Sequence, residues 1–225
     1  MIFVILSLNL LFAEPIKTNE MVIYNAPKWV KRTKVEKLTD KIQNKLEWKT
    51  RKISVFWYSD LKSFTKAHSL GPFAAAVTVK TSKKVEIHMG PLVTKENYQQ
   101  MLGHELIHVI IFQKYRGSIP RWLEEGLANF YSRQSKVNYK KLASKKLPEN
   151  VLEMGHPFKE NKGDLYTHYE VSQALAEMLD KKCDLENLLR LSVKKNLEDY
   201  IRRTCEIKDI NMAFKQWIKK KSKNK

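Results

Sequence analysis

The segment at residues 103–109, GHELIHV, carries two histidines four positions apart, with a glutamate directly after the first. On an α-helix, residues at i and i+4 lie one above the other, so His104 and His108 can both reach one metal ion. Glu105 lies between them, where it can take a proton from a metal-bound water. The surrounding residues are apolar, and polar groups in such a helix are costly to bury unless they are paired or bind a metal. The alternative is a pair of hydrogen-bonded helix histidines with a surface glutamate and no metal.

A third ligand to the metal is expected from the next predicted helix. A catalytic zinc usually takes three protein ligands and leaves one position for water, and two adjacent carboxylates follow at Glu124 and Glu125. Adjacent helical residues point about 100° apart, so only one of them can face the metal. Glu125 shares a face with Asn129, which could orient a ligand histidine by accepting a hydrogen bond, although a helix-surface asparagine is the alternative. Glu124 is expected at the solvent edge or facing the substrate, and Gly126 would let the two helices approach closely.

The order of the predicted elements indicates an α+β fold, with the strands early in the chain and helices dominating its second half. β-Branched and aromatic runs predict strands over 53–58, 74–80 and 85–89, the last two joined as a hairpin by a turn at 81–84. Helical periodicity and capping residues predict helices over 35–48, 61–68, 94–115, 121–133, 166–179, 185–193, 197–203 and 210–218. Residues 14–33 are expected to be an extended entry segment and residues 134–165 a long basic loop. We therefore predict one domain over 14–218, followed by a solvated basic tail at 219–225.

The chain is strongly basic, with 42 Lys and Arg residues against 24 Asp and Glu residues and a net charge of +18. Such a charge predicts attraction to anionic membrane or envelope surfaces, to nucleic acid or to acidic substrates. The basic residues are scattered outside the tail and form no nucleic-acid-binding motif, so no specific nucleic-acid partner is expected. The alternative is a solvated surface typical of a lysine-rich proteome.

Residues 1–13 predict export from the cytoplasm. Residues 2–13, IFVILSLNLLFA, carry no charge, are short for a membrane span and end in a small residue, as a signal-peptidase site does. A positively charged start is missing, and a buried N-terminal strand is the alternative. Export would place the mature chain in the periplasm or outside the cell, where Cys183 and Cys205 would form a disulfide. In the cytosol they would be two core thiols.

Two motifs together resemble a known family. HELIH at 104–108 is followed at 120–131 by a segment of the form P-x-W-L-x-E-G-L-A-x-x-Y. This combination resembles the gluzincin branch of the zincin metallopeptidases, and most of all its small peptidase MA-like members. A Tyr-x-x-Ser pattern at 169–172, Leu179 and the terminal helix around Trp217 extend the resemblance over residues 53–218. The exopeptidase motif of the large aminopeptidases that share the second segment is absent, so aminopeptidase activity is not inferred.

The resemblance implies a zincin-like fold and a role for each motif residue. A small antiparallel or mixed sheet would pack on the active-site helix, followed by a helical C-terminal half. One Zn²⁺ ion would be held by three ligands, the last being the glutamate immediately before the glycine: His104, His108 and Glu125. Glu105 would be the general base. Tyr169 would donate a hydrogen bond to the oxyanion of the reaction, with Tyr166 and His168 as close alternatives, while a packing tyrosine is the other interpretation of Tyr169.

The resemblance also implies where a substrate would bind. In zincins the strand before the active-site helix is the edge along which the substrate peptide lies. This strand is residues 74–80, and the small residues Ala74, Ala75 and Ala76 would leave backbone groups accessible for pairing. The implied function is a zinc-dependent peptidase, and specifically an endopeptidase, acting outside the cytoplasm on peptides or proteins.

The alternative function is a non-enzymatic binding module that keeps the zincin fold and docks on an anionic envelope or membrane surface. Its support is the positive charge of the chain. A pure scaffold, however, has no need for Glu105 beside an open zinc position, so the intact set of His, Glu, His and Glu favours the enzyme.

Overall fold

The computed structural model describes residues 14–68, 70–81, 84–132, 136–154, 165–193 and 197–223. The predicted signal peptide at 1–13 lies outside these ranges, as do residues 155–164 of the predicted loop. The described strands all precede residue 90 and helices dominate thereafter, so the α+β prediction is confirmed. No helix within these ranges combines the length and the apolar composition that crossing a bilayer requires.

The described strands form one mixed sheet in the order β1-β2-β3-β5-β4. In chain order they are Ile16–Lys17, Met21–Tyr24, Ile53–Trp57, Ala76–Lys80 and Val85–Met89. Strands β2, β3 and β5 run parallel in the centre, while β1 and β4 pair antiparallel at the two edges. The predicted hairpin of β4 and β5 is therefore confirmed, whereas β1 and β2 replace the entry segment that was expected to be merely extended.

Most helices in the described ranges lie close to the predicted ones, but a short helix at Tyr139–Ala143 and a 3₁₀ turn at Val151–Glu153 fall inside residues 134–165, where only a loop was expected. The helices are α1 Arg32–Lys45, α2 Leu61–Lys66, α3 Tyr98–Tyr115, α4 Arg121–Ser132, α5 Tyr139–Ala143, α6 Leu165–Lys182, α7 Leu185–Ser192, α8 Leu197–Thr204 and α9 Ile210–Lys223, with a 3₁₀ turn at Val151–Glu153. Helix α3 begins four residues later than predicted, because Asn97 accepts a hydrogen bond from the Thr94 amide and closes a separate turn. Helix α9 runs through most of the predicted basic tail.

Helix α3 lies at the centre of the core. Its apolar residues are buried all around its circumference, with Leu102, Leu106 and Val109 each 0% exposed. It contacts the sheet through β4 and β5 and the other helices through α1 and α4. A helix that is apolar all round must be covered on every side, which explains how three polar residues on α3 come to be buried next to α4.

Helix α4 in turn packs against α6 at a point where only a glycine fits. A Cβ atom on Gly126 would lie 2.3 Å from the Ser172 carbonyl oxygen of α6, a distance that real Cβ atoms do not adopt. Gly126 was expected to allow close approach to α3, but the contact that it permits is with α6. The helix carrying the two adjacent glutamates is therefore held between α3 and α6.

The disulfide predicted between Cys183 and Cys205 is present in the structure. The two Cα atoms are 4.9 Å apart, within the range that a disulfide spans without backbone movement. The bond joins the residue that follows α6 to the residue that follows α8. It ties the C-terminal helices to the end of the helix that packs on α4.

Candidate metal centre

Three side chains from α3 and α4 converge on one point, as the sequence predicts. His104 Nε2 and His108 Nε2 are 3.1 Å apart, and each lies 3.6 Å from Glu125 Oε2. In a tetrahedral zinc site with bonds of 2.0–2.1 Å, the ligand atoms are roughly 3.3 Å from one another. The spacing of the three donors therefore matches that of three corners of such a site.

The donor set fits a metal ion because one of its atoms, Glu125 Oε2, is buried without a hydrogen-bond partner in the described part of the metal-free protein. Glu125 is 3% exposed, and its Oε2 atom has no hydrogen-bond partner among the described residues. Burial favours the neutral acid, but the charge of His108 holds the pKa of Glu125 well below its usual range. A buried carboxylate oxygen facing two imidazole nitrogens is what a divalent cation would satisfy.

Glu124 has a different position from the one predicted. It is 5% exposed, and its Oε1 atom lies 2.8 Å from Nδ1 of His108. Two cations hold the same carboxylate: Lys80 Nζ at 2.7 Å from Oε1 and Arg121 at 2.8 Å from Oε2. The expectation of a solvent-edge or substrate-facing side chain is therefore wrong. Glu124 fixes the ring of His108, a candidate ligand, as carboxylates behind metal-bound histidines do.

The charges around His108 are strongly coupled in the metal-free protein. Burial opposes protonation of this imidazole, but Glu125 and Glu124 together raise its pKa to about 10. Burial likewise opposes ionisation of Glu124, but His108, Lys80 and Arg121 lower the pKa of that carboxyl to about 2. At neutral pH the metal-free centre therefore holds a proton at the place where a cation would bind.

The predicted general base, Glu105, is held by a residue that the sequence did not single out. Thr78 of β4 donates a hydrogen bond from its hydroxyl to Glu105 Oε2 at 2.7 Å and lies 3.1 Å from the Glu105 carbonyl oxygen. Glu105 itself is 7% exposed. The hydroxyl thus fixes one carboxylate oxygen of Glu105 beside the edge strand.

Among the three proposed oxyanion donors, Tyr169 is the one that borders the donor set on both sides. Tyr169 lines both cavities beside the donor set, together with His104 and Glu105. Burial raises the pKa of its hydroxyl, and the charges of Glu125 and Glu105 raise it further, so the hydroxyl keeps its proton. Tyr166 lines only the second of these cavities, and His168 faces a separate cavity near Pro148.

Two cavities meet at the donor set and form one cleft along β4. The first, of about 380 Å³, is lined by residues 76–80 together with Arg121, and the second, of about 230 Å³, by residues 73–76. Strand β4 is an edge strand, as predicted. The cleft therefore gives the donor set access to solvent beside an edge of β4 that pairs with none of the described strands.

The pairing of β4 with β5 shows which backbone groups are free at that edge. The Ala75 carbonyl accepts from the Gly90 amide and the Thr81 amide donates to Lys84, so both residues point toward β5. Because the pattern alternates in an antiparallel pair, the N–H and C=O groups of Ala76, Thr78 and Lys80 point outward. Of the three predicted alanines, Ala76 presents its backbone to the cleft. Ala74 is buried in the small cluster around Phe64, and Ala75 uses its carbonyl within the sheet.

Asn129 does not make the contact that was predicted for it. The residue is 2% exposed, but its amide nitrogen and oxygen have no hydrogen-bond partner among the described residues. It lines the second cavity beside His104 without orienting that ring. The ring-orienting acceptor that the sequence assigned to Asn129 is Glu124 instead, on the neighbouring His108.

Comparisons with protein-family models, with curated proteins and with solved structures give no match for this chain.

Proposed function

We propose that this protein is a zinc-dependent peptidase of the gluzincin type that cleaves peptide bonds within peptides or proteins outside the cytoplasm. The observation that carries the proposal is the tetrahedral spacing of His104, His108 and Glu125 beside a buried Glu105, in a cleft that runs along an open strand edge. Two imidazoles and one carboxylate are a common ligand set of catalytic zinc. The disulfide supports an oxidising compartment.

The residues around the centre supply the groups that peptide hydrolysis needs. A zinc ion held there would acidify a water molecule and polarise the scissile carbonyl. Glu105, fixed at one oxygen by Thr78, takes the proton of that water and passes it to the leaving amine. Tyr169 donates a hydrogen bond to the oxyanion that develops on the substrate. Glu124 keeps His108 in the orientation in which Nε2 faces the other two donors.

The substrate peptide would add a strand to the sheet. The outward N–H and C=O groups of Ala76, Thr78 and Lys80 can pair with an extended backbone. Thr78 also contacts the general base, so a peptide paired there would bring its backbone next to Glu105. This pairing involves only the backbone of the substrate, so it binds peptides regardless of their side chains.

Metal analysis combined with an unbiased peptide-cleavage assay tests the proposal. We expect the purified protein to bind one zinc ion and to cleave peptides at internal bonds, with both properties lost on chelation. Glu105→Gln should keep the metal and lose hydrolysis, because the amide cannot accept the water proton. Zinc-loaded protein that cleaves no peptide, or a Glu105→Gln variant as active as the wild type, would contradict the proposal.

A non-enzymatic module that docks on anionic surfaces is the second candidate. The observation that favours it is the net charge of +18. It leaves unexplained why Glu105 is buried and fixed beside a metal-binding set. The peptide-cleavage assay distinguishes the two candidates. A peptidase cleaves peptides and loses this activity in Glu105→Gln, whereas a binding module has no such activity to lose.

A further inference from the structure

The two ends of the cleft differ in chemistry. The cavity at the Lys80 end contains the side chains of Lys80 and Arg121. The cavity at the other end is lined by Phe73, Met101 and Tyr166, with the buried polar residues Asn129, Glu170 and Gln173 behind them. The two cavities share Ala76, His104, Glu105 and Tyr169, so the donor set lies where they join. A peptide that crosses the cleft would meet cations on one side of the reacting bond and apolar groups on the other.

With a zinc ion bound, the Lys80 end of the cleft would carry more positive than negative charge. Lys80 and Arg121 share a single carboxylate, Glu124, which also accepts from the His108 ring. The acidic residues among the described lining of this cavity are Glu105 and Glu125, whose charges belong to the metal centre. A zinc ion would balance those two carboxylates, so Lys80 and Arg121 against Glu124 would leave one positive charge at this end. Lys80 and Arg121 keep 22% and 37% of their side chains exposed, and each has further N–H donors.

The aromatic side chains at the apolar end of the cleft are also exposed to solvent. Phe73 is 81% exposed and Tyr166 is 47% exposed, and both border the smaller cavity. An exposed phenylalanine beside a backbone-binding edge gains burial when an apolar side chain packs against it. This end would therefore accept an apolar residue of a bound peptide.

We propose that the cleft selects peptides with an acidic side chain on the Lys80 side of the scissile bond and an apolar side chain on the Phe73 side. This inference rests on the proposed peptidase function and adds the substrate class. Thr78 marks the level of the general base along β4, and Lys80 lies two residues further, about 7 Å along a strand. The acidic side chain should thus fall one or two residues from the scissile bond. A guanidinium with free N–H groups binds a carboxylate with good geometry.

Mapping of cleavage sites in an unbiased peptide mixture tests the asymmetry directly. We expect Asp and Glu to be enriched within two residues of the scissile bond on one side only, with apolar residues enriched on the other. For matched peptides that carry Glu or Gln at the enriched position, kcat/KM should favour Glu by roughly 10-fold, as for a charge-assisted hydrogen bond. The preference should shrink as salt is added, since both cations are partly exposed.

Three variants separate the ends of the cleft. Arg121→Gln should reduce the Glu-over-Gln ratio to near unity at unchanged preference for the apolar residue, and Lys80→Gln should reduce it in the same direction. Phe73→Ala should reduce the apolar preference and keep the Glu-over-Gln ratio. Ratios are measured at equal zinc content, because both cations also contact Glu124. Efficient cleavage with equal rates for Glu and Gln would overturn this inference and leave the peptidase proposal intact. Absence of cleavage by zinc-loaded protein would overturn both.

Discussion

Glu124 and Glu125 are neighbours in the sequence with different partners in the structure. Glu125 faces the two Nε2 atoms of the histidines, while Glu124 faces the opposite nitrogen of His108 and two cations. The side chains of successive helical residues point about 100° apart, so Glu124 and Glu125 contact different partners. One residue completes the donor set, and the other holds a donor in place.

Replacing each glutamate by glutamine should therefore affect metal binding to different extents. Glu125→Gln removes a ligand charge and should strip the metal. Glu124→Gln keeps the size of the side chain but loses the charge behind His108, and should weaken metal affinity by about 10- to 100-fold. Competition with a chromophoric chelator measures both. Zinc affinity in Glu124→Gln equal to that of the wild type would show that the contact to His108 does not support the metal.

Metal binding should depend on pH because it displaces a proton. In the metal-free protein the pKa of His108 is raised from 6.5 to about 10, so protonation stabilises the metal-free fold fully below about pH 6.5. That stabilisation is lost as the pH rises through about 10. A metal requires the neutral imidazole, so we expect proton release on binding at pH 7 and tighter binding as the pH increases toward 10.

Titration calorimetry in buffers of different ionisation enthalpy measures this proton release. At pH 7 the apparent binding enthalpy should vary linearly with the buffer enthalpy, with a slope close to one proton for His108. Glu124→Gln removes one of the two charges that raise the His108 pKa and should lower the slope. A slope of zero in the wild type would contradict the prediction.

Among the helices and strands, the sequence predicts those in which the pattern of apolar and polar residues is long or has sharp boundaries. Helix α1 shows its apolar stripe, and Val35, Ile42 and Leu46 are buried in the structure. Strand β3 alternates, with Ile53, Val55 and Trp57 buried. Strands β1 and β2 have two and four residues, too few to show a period. Strand β2 is held by parallel pairing with β3, where Met21 lies opposite Ile53, and local patterns do not encode a contact at that distance in the sequence.

The site divides in the same way between local and distant contacts. His104, Glu105 and His108 follow from helical spacing, and Glu125 from the motif around Gly126. The hydrogen bond from Thr78 to Glu105 joins residues 27 positions apart, and the ion pair of Lys80 with Glu124 joins residues 44 apart. No spacing rule connects such pairs, because they depend on how β4 lies beside α3. The roles of Thr78, Lys80 and Arg121 could be found only from the structure.

The contact between α4 and α6 predicts that Gly126 tolerates no side chain. In Gly126→Ala the new Cβ would overlap the Ser172 carbonyl, so the helices must separate at a cost of about 1–3 kcal/mol. That shift would also move Glu125, the preceding residue, and weaken metal binding. Gly71→Ala is the matched control, since a Cβ there has no atom within 4 Å.

Thermal unfolding with and without zinc distinguishes the two glycines. Gly126→Ala should lower Tm by roughly 2–10 °C for a chain of this size and should reduce the stabilisation that zinc provides. Gly71→Ala should leave both quantities close to wild-type values. Equal Tm values for the two variants would mean that α4 and α6 can separate without cost.

For the whole molecule, the positive charge predicts weak binding to anionic membranes or polymers. The net charge is +18, and the last turn of α9 carries three lysines. Long-range attraction of this type is screened by salt, so binding to vesicles with anionic lipid should weaken steeply between low and physiological ionic strength. Neutral vesicles are the control. Binding that ignores salt, or that is equal for neutral vesicles, would contradict the prediction.

The unpaired edge of β4 has a consequence for how copies of this chain meet. An open strand is a template for any extended segment, including the same edge of a second molecule. The opposite edge, β1, is only two residues long, so edge-to-edge stacking would occur through β4 and would bury the cleft. Lys80 at that edge and the +18 charge of each copy oppose such stacking. High salt, which is expected to release the protein from anionic surfaces, would therefore also favour self-association that closes the site.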